Sequence, residues 1–193
     1  RKVARIEEVN RIIEVLQSIG VSVRWLPGND LEIKPPKILN MLSINKESAK
    51  KTRAIIMFIG PLMHLLNKFE LPFAGGCELG KRTVLPHLYA LEELGVSVET
   101  KSNAYHVTTK PAPAKRDIVL YESGDTTTEN ILMAAARIEQ ETVIKMASAN
   151  YQVQDTCLFL KKLGVKIEGI GTTTLRVRGV KNIKKNVSYS PSE

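Results

Sequence analysis

The sequence repeats one short pattern three times, and this repetition constrains the fold more than any other feature. Each copy has an apolar helix end, a glycine and a β-branched run, at residues 16–23, 91–98 and 160–167. The glycine falls where a helix stops in a left-handed conformation, and the run after it is typical of a strand. A turn and a second apolar run follow each copy. Every copy therefore predicts a helix that leads into a β-hairpin.

Upstream of each glycine, the apolar residues follow the spacing of one helical face. We expect the three faces to point into a common core. Their residues are Val9, Ile12, Ile13, Leu16 and Ile19, then Leu85, Leu88, Leu91 and Leu94, and finally Val153, Cys157, Leu160 and Leu163.

The second and third copies carry a strand, a helix and a strand before this common ending. The predicted elements are a strand at 38–44, a helix at 52–66 and a strand at 69–73, then a strand at 118–121, a helix at 129–139 and a strand at 142–146. Thr126 and Glu129 form a Thr-x-x-Glu pair, which is a capping-box signature for the start of the later helix. The complete unit is therefore βαβαββ, and the predicted fold class is α/β.

These units divide the chain into a partial repeat at 1–36, a complete repeat at 37–112 and another at 113–180. The first repeat lacks its front half. We expect the missing segment to lie before Arg1, so that the chain is a fragment of a longer protein. Residues 181–193 lose the pattern, and we expect them to be a connector to a second domain.

The net charge of +8 favours an anionic partner, such as nucleic acid, an acidic membrane surface or a phosphorylated small molecule. Aromatic residues make up 5% of the chain and are not interleaved with basic ones, which disfavours single-stranded nucleic acid. The longest apolar run, at 54–66, is broken by Gly60, Pro61 and His64, so we expect no membrane span. The sequence does not start with a signal peptide, and we expect a cytoplasmic protein.

The segment with the most chemical content is Gly-Gly-Cys-Glu-Leu-Gly-Lys-Arg at residues 75–82, between a predicted strand and the next helix. A thiol beside Lys81 and Arg82, ahead of a helix N-terminus, is in surroundings that stabilise its thiolate. Cys77 is therefore a candidate reactive thiol, and the alternative is a glycine-rich surface turn with an incidental cysteine. Cys157 is predicted to be a core residue. Because the two cysteines match neither a disulfide framework nor a zinc site, we expect no metal and no cofactor.

Arg53 stands, with Lys50 and Lys51, at the predicted start of the helix at 52–66. Backbone amides at a helix N-terminus favour anions, and an arginine makes bidentate contacts with an oxyanion. A phosphate site is therefore predicted there. The alternative is a solvated basic surface, for the two lysines in particular.

The three histidines fall in different predicted elements. His64 lies in an apolar helix and His106 in a strand, and both are predicted to be structural. His87 lies in the first turns of the helix after the cysteine loop. Its side chain is predicted to reach a ligand held at the helix start.

Four groups of residues follow one family pattern in the same order along the chain. They are Thr52-Arg53-Ala54 with Gly60-Pro61-Leu62; Gly75-Gly76-Cys77 with Gly80, Arg82, Val84 and His87; Thr128-Glu129-Asn130 before Ala134-Ala135; and residues 163–167 with Gly171-Thr172. By these residues the chain resembles the UDP-N-acetylglucosamine enolpyruvyl transferases of the EPSP synthase superfamily. The resemblance covers nearly the whole chain. It implies an inside-out α/β barrel of threefold βαβαββ repeats, one of two such domains with the ligands between them.

The resemblance also implies a reaction. Phosphoenolpyruvate gives its enolpyruvyl group to the 3′-hydroxyl of UDP-N-acetylglucosamine and releases phosphate, which starts peptidoglycan precursor synthesis. By position, Cys77 is the proton donor and adduct site, Arg82 holds the phosphate of phosphoenolpyruvate and Arg53 contacts the nucleotide sugar. The other implied nucleotide-sugar residues are Arg82 itself, Thr83, Val84, Leu85, Pro86 and His87, and the loop of Glu122, Ser123, Gly124 and Asp125. The general base is expected from the second domain, so this chain alone is expected to be inactive.

The sequence departs from the family pattern at a few positions near the implied nucleotide site. Leu85 stands where an Asp is usual, residues 122–125 replace a basic and hydrophobic stretch, and residues 149–152 replace a charged one. Three alternatives therefore stay open. They are the same chemistry with another nucleotide or acceptor, a nucleic-acid-binding module on the same fold, and a degenerate structural partner.

Overall fold

Each predicted repeat contributes one β-sheet to the part of the chain that the structure describes. The computed structural model describes residues 1–73, 83–111 and 117–191. Its strands are β1 (Ser22–Leu26), β2 (Asp30–Lys34), β3 (Lys68–Pro72), β4 (Val96–Lys101), β5 (Ala104–Thr109), β6 (Asp117–Val119), β7 (Glu141–Lys145), β8 (Lys166–Glu168) and β9 (Thr174–Arg178).

The α-helices alternate with these strands and are joined by three short 3₁₀ segments. The helices are α1 (Glu7–Ser18), α2 (Lys46–Lys50), α3 (Ile59–Leu62), α4 (Leu85–Glu92), α5 (Asp125–Ala135) and α6 (Tyr151–Lys162). The 3₁₀ segments are Pro27–Asn29, Met41–Ser43 and Arg53–Phe58.

The second and third sheets share one arrangement, in which the last hairpin strand is internal. β5 pairs antiparallel with both β3 and β4, and β9 pairs antiparallel with both β7 and β8. β6 adds a parallel pair with β7, while β1 and β2 form a two-stranded antiparallel sheet. The mixed α/β class is therefore confirmed. The inside-out barrel is not confirmed, because the three sheets do not join into a closed barrel in the described residues.

The three repeated helix ends have the predicted conformation. Gly20, Gly95 and Gly164 follow α1, α4 and α6 with φ of 99°, 87° and 105°, the left-handed region that a glycine enters without steric cost. Each is followed by an antiparallel hairpin, namely β1–β2, β4–β5 and β8–β9. The short-range pattern therefore predicts these three units correctly.

The strand predicted at 38–44 is wrong. The segment contains the 3₁₀ turn Met41–Ser43, with Ile38 and Leu42 exposed at 85% and 97%. Its backbone bonds to α1 instead of to a strand, since Asn40 N donates to the carbonyl of Ile19 at 3.0 Å. Ser43 Oγ also donates to backbone carbonyls, which competes with strand pairing.

The helix predicted at 52–66 is shorter and of mixed type, with 3₁₀ geometry over Arg53–Phe58 and α geometry over Ile59–Leu62. The Thr52 hydroxyl caps it by accepting from Ala54 N at 3.1 Å. Lys50 and Lys51 do not belong to this start. They end α2, where cations meet the negative end of the helix dipole.

The helix predicted at 129–139 begins four residues earlier, at Asp125. The extended Gly124 is its N-cap residue, so Thr126 lies inside the first turn. The predicted capping box of Thr126 and Glu129 is therefore wrong. Asp125 places a carboxylate in the first turn, which favours this earlier start.

The core has α5 at its centre, packed against α3, α4 and α6. Ile131, Leu132, Ala134 and Ala135 of α5 are fully buried, and burying each large aliphatic side chain contributes about 1.5–3 kcal/mol. Cys157 of α6 is also fully buried, as predicted.

Leu85 departs from the predicted core face of α4. Its side chain is 44% exposed, whereas Leu91 and Leu94 of the same face are buried. The reason is position, since Leu85 is the first residue of α4 and lies beyond the core. The neighbouring Pro86 and His87 are buried instead.

Residues 181–191 have no regular structure but lie against α6. Lys184 N donates to the Leu163 carbonyl at 2.9 Å, and the Tyr189 hydroxyl donates to Asp155 Oδ1 at 2.7 Å. Within the described ranges, every helix is too short or too polar to cross a bilayer.

Candidate functional site

Part of the predicted site lies outside the described residues. Cys77 and Arg82 fall in residues 74–82, so their predicted roles stay predictions. The described part comprises Arg53, residues 83–87 and residues 122–125.

Arg53 and the start of α4 are in direct contact. Arg53 Nη2 donates to the backbone carbonyl of Thr83 at 2.6 Å, across 30 positions of sequence. The Thr83 hydroxyl then accepts from Leu85 N at 3.1 Å, at the first residue of α4. The fold thereby brings together two predicted nucleotide-sugar segments, one of which begins directly after residue 82 in the sequence.

The side chains of residues 83–87 differ in their access to a ligand. Thr83 and Leu85 are exposed and Val84 is half-buried, whereas Pro86 and His87 are buried. Thr83 and Leu85 are therefore the residues of this stretch that offer side chains to solvent.

His87 is 2% exposed and packs between α4 and α5. Its Nδ1 lies 3.3 Å from Asn130 Nδ2, and its Nε2 lies 3.5 Å from the Thr126 hydroxyl. Burial, with a smaller contribution from the positive charge of Arg53, lowers the pKa of His87 to about 4. The imidazole is therefore neutral at pH 7, and its burial does not fit the prediction that the ring itself reaches a ligand.

The partner of His87, Asn130, has the most complete set of buried polar contacts near the site. Asn130 Nδ2 donates to the Ile56 carbonyl at 3.1 Å and to His87 Nδ1, while Asn130 Oδ1 accepts from Gly60 N at 3.0 Å. Since Asn130 donates to Nδ1, the ring proton lies on Nε2, facing Thr126. We call Asn130, His87, Ile56 and Gly60 the Asn130 network.

Gly60 has a role in this network that a larger residue does not permit. A Cβ at this position would lie 2.4 Å from the Asn130 carbonyl oxygen and 2.6 Å from Asn130 Oδ1. The absence of a side chain therefore lets α3 approach α5 closely enough for the hydrogen bond. Gly60 and Asn130 both belong to the family pattern, but their separation of 70 residues gives no local signal for this contact.

The loop before α5 is positioned by contacts that the sequence analysis missed. Asp125 Oδ1 accepts from the Ser148 hydroxyl, and Asp125 Oδ2 accepts from Asn150 Nδ2 at 3.0 Å. Ser148 N donates in turn to the Thr128 hydroxyl at 3.0 Å. Asp125 therefore connects the start of α5 to the loop before α6, while Glu122 and Ser123 remain exposed.

The buried Cys157 thiol of α6 is poorly suited to act as a nucleophile. Burial, with a smaller contribution from the nearby Glu129 carboxylate, raises the pKa of the Cys157 thiol to about 11. A thiol with a raised pKa is a poor nucleophile near neutral pH.

In the ranges that the structure describes, no cluster of three or more His, Cys, Asp or Glu side chains is arranged to hold a metal ion.

The other two histidines have structural contacts. His64 Nε2 lies 2.6 Å from the Ala134 carbonyl oxygen, and burial lowers the pKa of the ring. His106 Nδ1 lies 3.1 Å from Glu70 on the neighbouring strand β3. These contacts fit the predicted structural roles.

Comparison with known families identifies the family of the chain. Residues 1–191 match the family model of EPSP synthase (3-phosphoshikimate 1-carboxyvinyltransferase). The chain belongs to this family of carboxyvinyltransferases.

Curated relatives of this family member include two UDP-N-acetylglucosamine 1-carboxyvinyltransferases. The protein from Treponema denticola is 35% identical over 183 residues, which are 95% of this chain and 42% of the relative. The protein from Helicobacter pylori is 31% identical over 187 residues, or 97% of this chain and 44% of the relative. The chain thus spans less than half the length of these relatives.

A solved structure supports the fold. The enolpyruvyl transferase NikO from Streptomyces tendae superposes with a TM-score of 0.72 at 14% identity, covering 89% of this chain and 40% of that one. At this identity the similarity is evidence for the fold alone.

Proposed function

We propose that this chain is one of two domains of an enzyme that transfers enolpyruvyl from phosphoenolpyruvate to the 3′-hydroxyl of UDP-N-acetylglucosamine. Phosphate is the second product, and the reaction starts peptidoglycan precursor synthesis in the cytoplasm. The observation that carries the proposal is the contact between Arg53 and Thr83, because it joins two segments of the predicted nucleotide-sugar site, one of which begins directly after residue 82 in the sequence. The names of the curated relatives support the substrates.

The proposed chemistry assigns different tasks to the residues. The enol ether is protonated at carbon while the acceptor hydroxyl attacks the adjacent carbon, so the site requires an acid, a base and cations for phosphate and carboxylate. Cys77 is the proposed proton donor and adduct site, and Arg82 the proposed phosphate ligand. The base comes from the second domain.

The nucleotide sugar is proposed to bind along Arg53, Thr83, Leu85 and the loop at 122–125. Arg53 supplies a fixed cation, and Thr83 and Leu85 offer the exposed side chains at the start of α4. His87 supports this surface from below through Asn130 and Thr126. We also propose that the chain has repeats at 1–36, 37–112 and 113–180 in an inside-out barrel and a connector to the second domain at 181–193. The ligands are proposed to lie between the two domains.

A second candidate function is the same transfer to another nucleotide or acceptor. It is favoured by the apolar Leu85 on the exposed start of α4 and by Glu122 beside Asp125 in the proposed nucleotide loop. Carboxylates near a diphosphate are unfavourable, and an apolar side chain offers no hydrogen bond to a base. Both features change acceptor recognition and leave the transfer chemistry unaltered.

Titration calorimetry of the full-length protein with UDP-N-acetylglucosamine separates these candidates. We predict binding, and at least a roughly tenfold loss for Arg53→Ala, since a charge-assisted contact contributes about 1.5–3 kcal/mol. Lys50→Ala, which removes an exposed cation at the end of α2, serves as the matched control and is predicted to bind normally. Absence of heat with UDP-N-acetylglucosamine, together with binding of another nucleotide, would favour the second candidate.

A further inference from the structure

The Asn130 network connects three segments that each carry proposed ligand residues. It reaches the Arg53 segment through Ile56 and Gly60, the start of α4 through His87, and the start of α5 through the helix that contains Asn130. We propose that Asn130 is a positioning residue, which sets the mutual arrangement of these three segments for binding of the nucleotide sugar. The proposal rests on the function proposed above.

The path from Asn130 to Arg53 is short. Ile56 follows Arg53 by three residues in the 3₁₀ segment, which is one turn, and Gly60 is the second residue of the α-helical continuation. Asn130 bonds to the Ile56 carbonyl and to Gly60 N. These two hydrogen bonds therefore fix the orientation and position of the turn that carries Arg53 relative to α5. Arg53 then meets Thr83 at 2.6 Å on the surface.

The path from Asn130 to α4 passes through His87. Asn130 holds the ring in its Nε2-protonated form, and His87 N donates to the Val84 carbonyl at 3.0 Å. The Nε2 side faces Thr126, in the first turn of α5 next to Asp125. The buried Asn130 side chain therefore holds the Arg53 segment, the start of α4 and the start of α5 in a fixed mutual arrangement. Its role is to position these segments rather than to contact the ligand.

The chemistry of the side chain is specific. Asn130 is 0% exposed and uses two N–H donors and one oxygen acceptor toward three different partners. A carboxylate has no donor, and an alkyl side chain has neither donor nor acceptor. The surrounding polar atoms would then be buried without partners, and the segments would shift.

Steady-state kinetics of the full-length protein distinguishes an effect of Asn130 on the nucleotide-sugar site from an effect on the stability of the fold. Asn130→Ala is expected to raise KM for UDP-N-acetylglucosamine about tenfold while KM for phosphoenolpyruvate changes less than about twofold. The control is Val177→Ala, a fully buried position of β9 outside the network, which loses stability with both KM values unchanged. If Asn130→Ala lowers kcat with both KM values unchanged, it has merely reduced the folded fraction, and the proposal is overturned.

Asn130→Asp gives an independent reading through its pH profile. A carboxylate next to His87 Nδ1 stabilises the imidazolium and so raises the pKa of the ring, and the variant is expected to bind UDP-N-acetylglucosamine at least about threefold more tightly at pH 6 than at pH 8. In the wild type, His87 is neutral across this range, because its pKa is about 4. A variant that binds as tightly as the wild type at both pH values contradicts the proposal.

Ring ¹⁵N NMR of His87 keeps the proposal testable without turnover. The expected spectra are an Nε2-protonated neutral ring in the wild type and an imidazolium at pH 6 in Asn130→Asp. If the protein shows these spectra but does not convert phosphoenolpyruvate and UDP-N-acetylglucosamine, the proposed function is wrong and the geometry of the Asn130 network is still supported. A wild-type ring protonated at Nδ1 overturns the positioning role whether or not the enzyme is active.

Discussion

At the scale of single residues, the contacts near the site depend on partners distant in sequence. Asn130 is 70 positions from Gly60 and 43 from His87, so no local pattern predicts that they meet. The sequence does predict that His87 lies near the start of a helix. It cannot predict that the ring faces inward, because burial depends on how α4 packs on α5.

The buried His87 makes native stability depend on pH. The unfolded chain binds a proton at His87 below about pH 6.5, whereas the native state does so at about pH 4. Between these values the unfolded state binds more protons, so the stability of the native state falls as the pH falls, by about 3 kcal/mol in total.

We predict that His87→Gln removes this part of the pH dependence between pH 6.5 and pH 4. Urea unfolding of wild type and variant at several pH values measures it, and His64, whose pKa is also lowered, titrates equally in both proteins. An unchanged slope in the variant would show that His87 is protonated in the native state.

At the scale of elements, local signals and non-local contacts determine different parts of the fold. The three helix ends and hairpins follow from glycines and β-branched runs that act over a few residues, and all three are observed. The segment at 38–44 has a strand-like composition, yet its backbone bonds to α1. The start of α5 was misplaced because the Thr-x-x-Glu pattern lies inside the helix, after Gly124 and Asp125.

The Asp125 carboxylate joins the proposed nucleotide loop to the loop before α6. It connects the start of α5 to Ser148 and Asn150, so two departures from the family pattern, at 122–125 and 149–152, are partners in the structure. Much of the hydrogen-bonding capacity of this carboxylate is therefore used within the protein.

We predict that Asp125→Ala costs about 1–3 kcal/mol of stability, because it leaves the buried Ser148 hydroxyl without its acceptor and also removes the bond from the exposed Asn150. The matched control is Glu122→Gln, which removes a charge from the same loop at an exposed position and is expected to change stability by less than about 0.5 kcal/mol. Thermal unfolding measures both, and equal effects would mean that the loss of charge, rather than of contacts, is responsible.

At the scale of the whole molecule, several of the basic side chains in the described ranges form ion pairs. Arg176 pairs with Glu141 and Lys145 with Asp117 across the third sheet, each at 3.1 Å, and Arg24 and Lys34 share Glu32. Partly exposed pairs contribute little stability, but they reduce the field that a polyanion would meet.

We propose that this chain is one domain of an enolpyruvyl transferase whose acceptor is UDP-N-acetylglucosamine. Phosphate release by the full-length protein, measured with phosphoenolpyruvate in the presence and absence of UDP-N-acetylglucosamine, tests it most directly. We predict release that requires the nucleotide sugar and yields its carboxyvinyl ether in equal amount. Absence of phosphate release from a folded full-length protein, with UDP-N-acetylglucosamine at millimolar concentration, would contradict the claim.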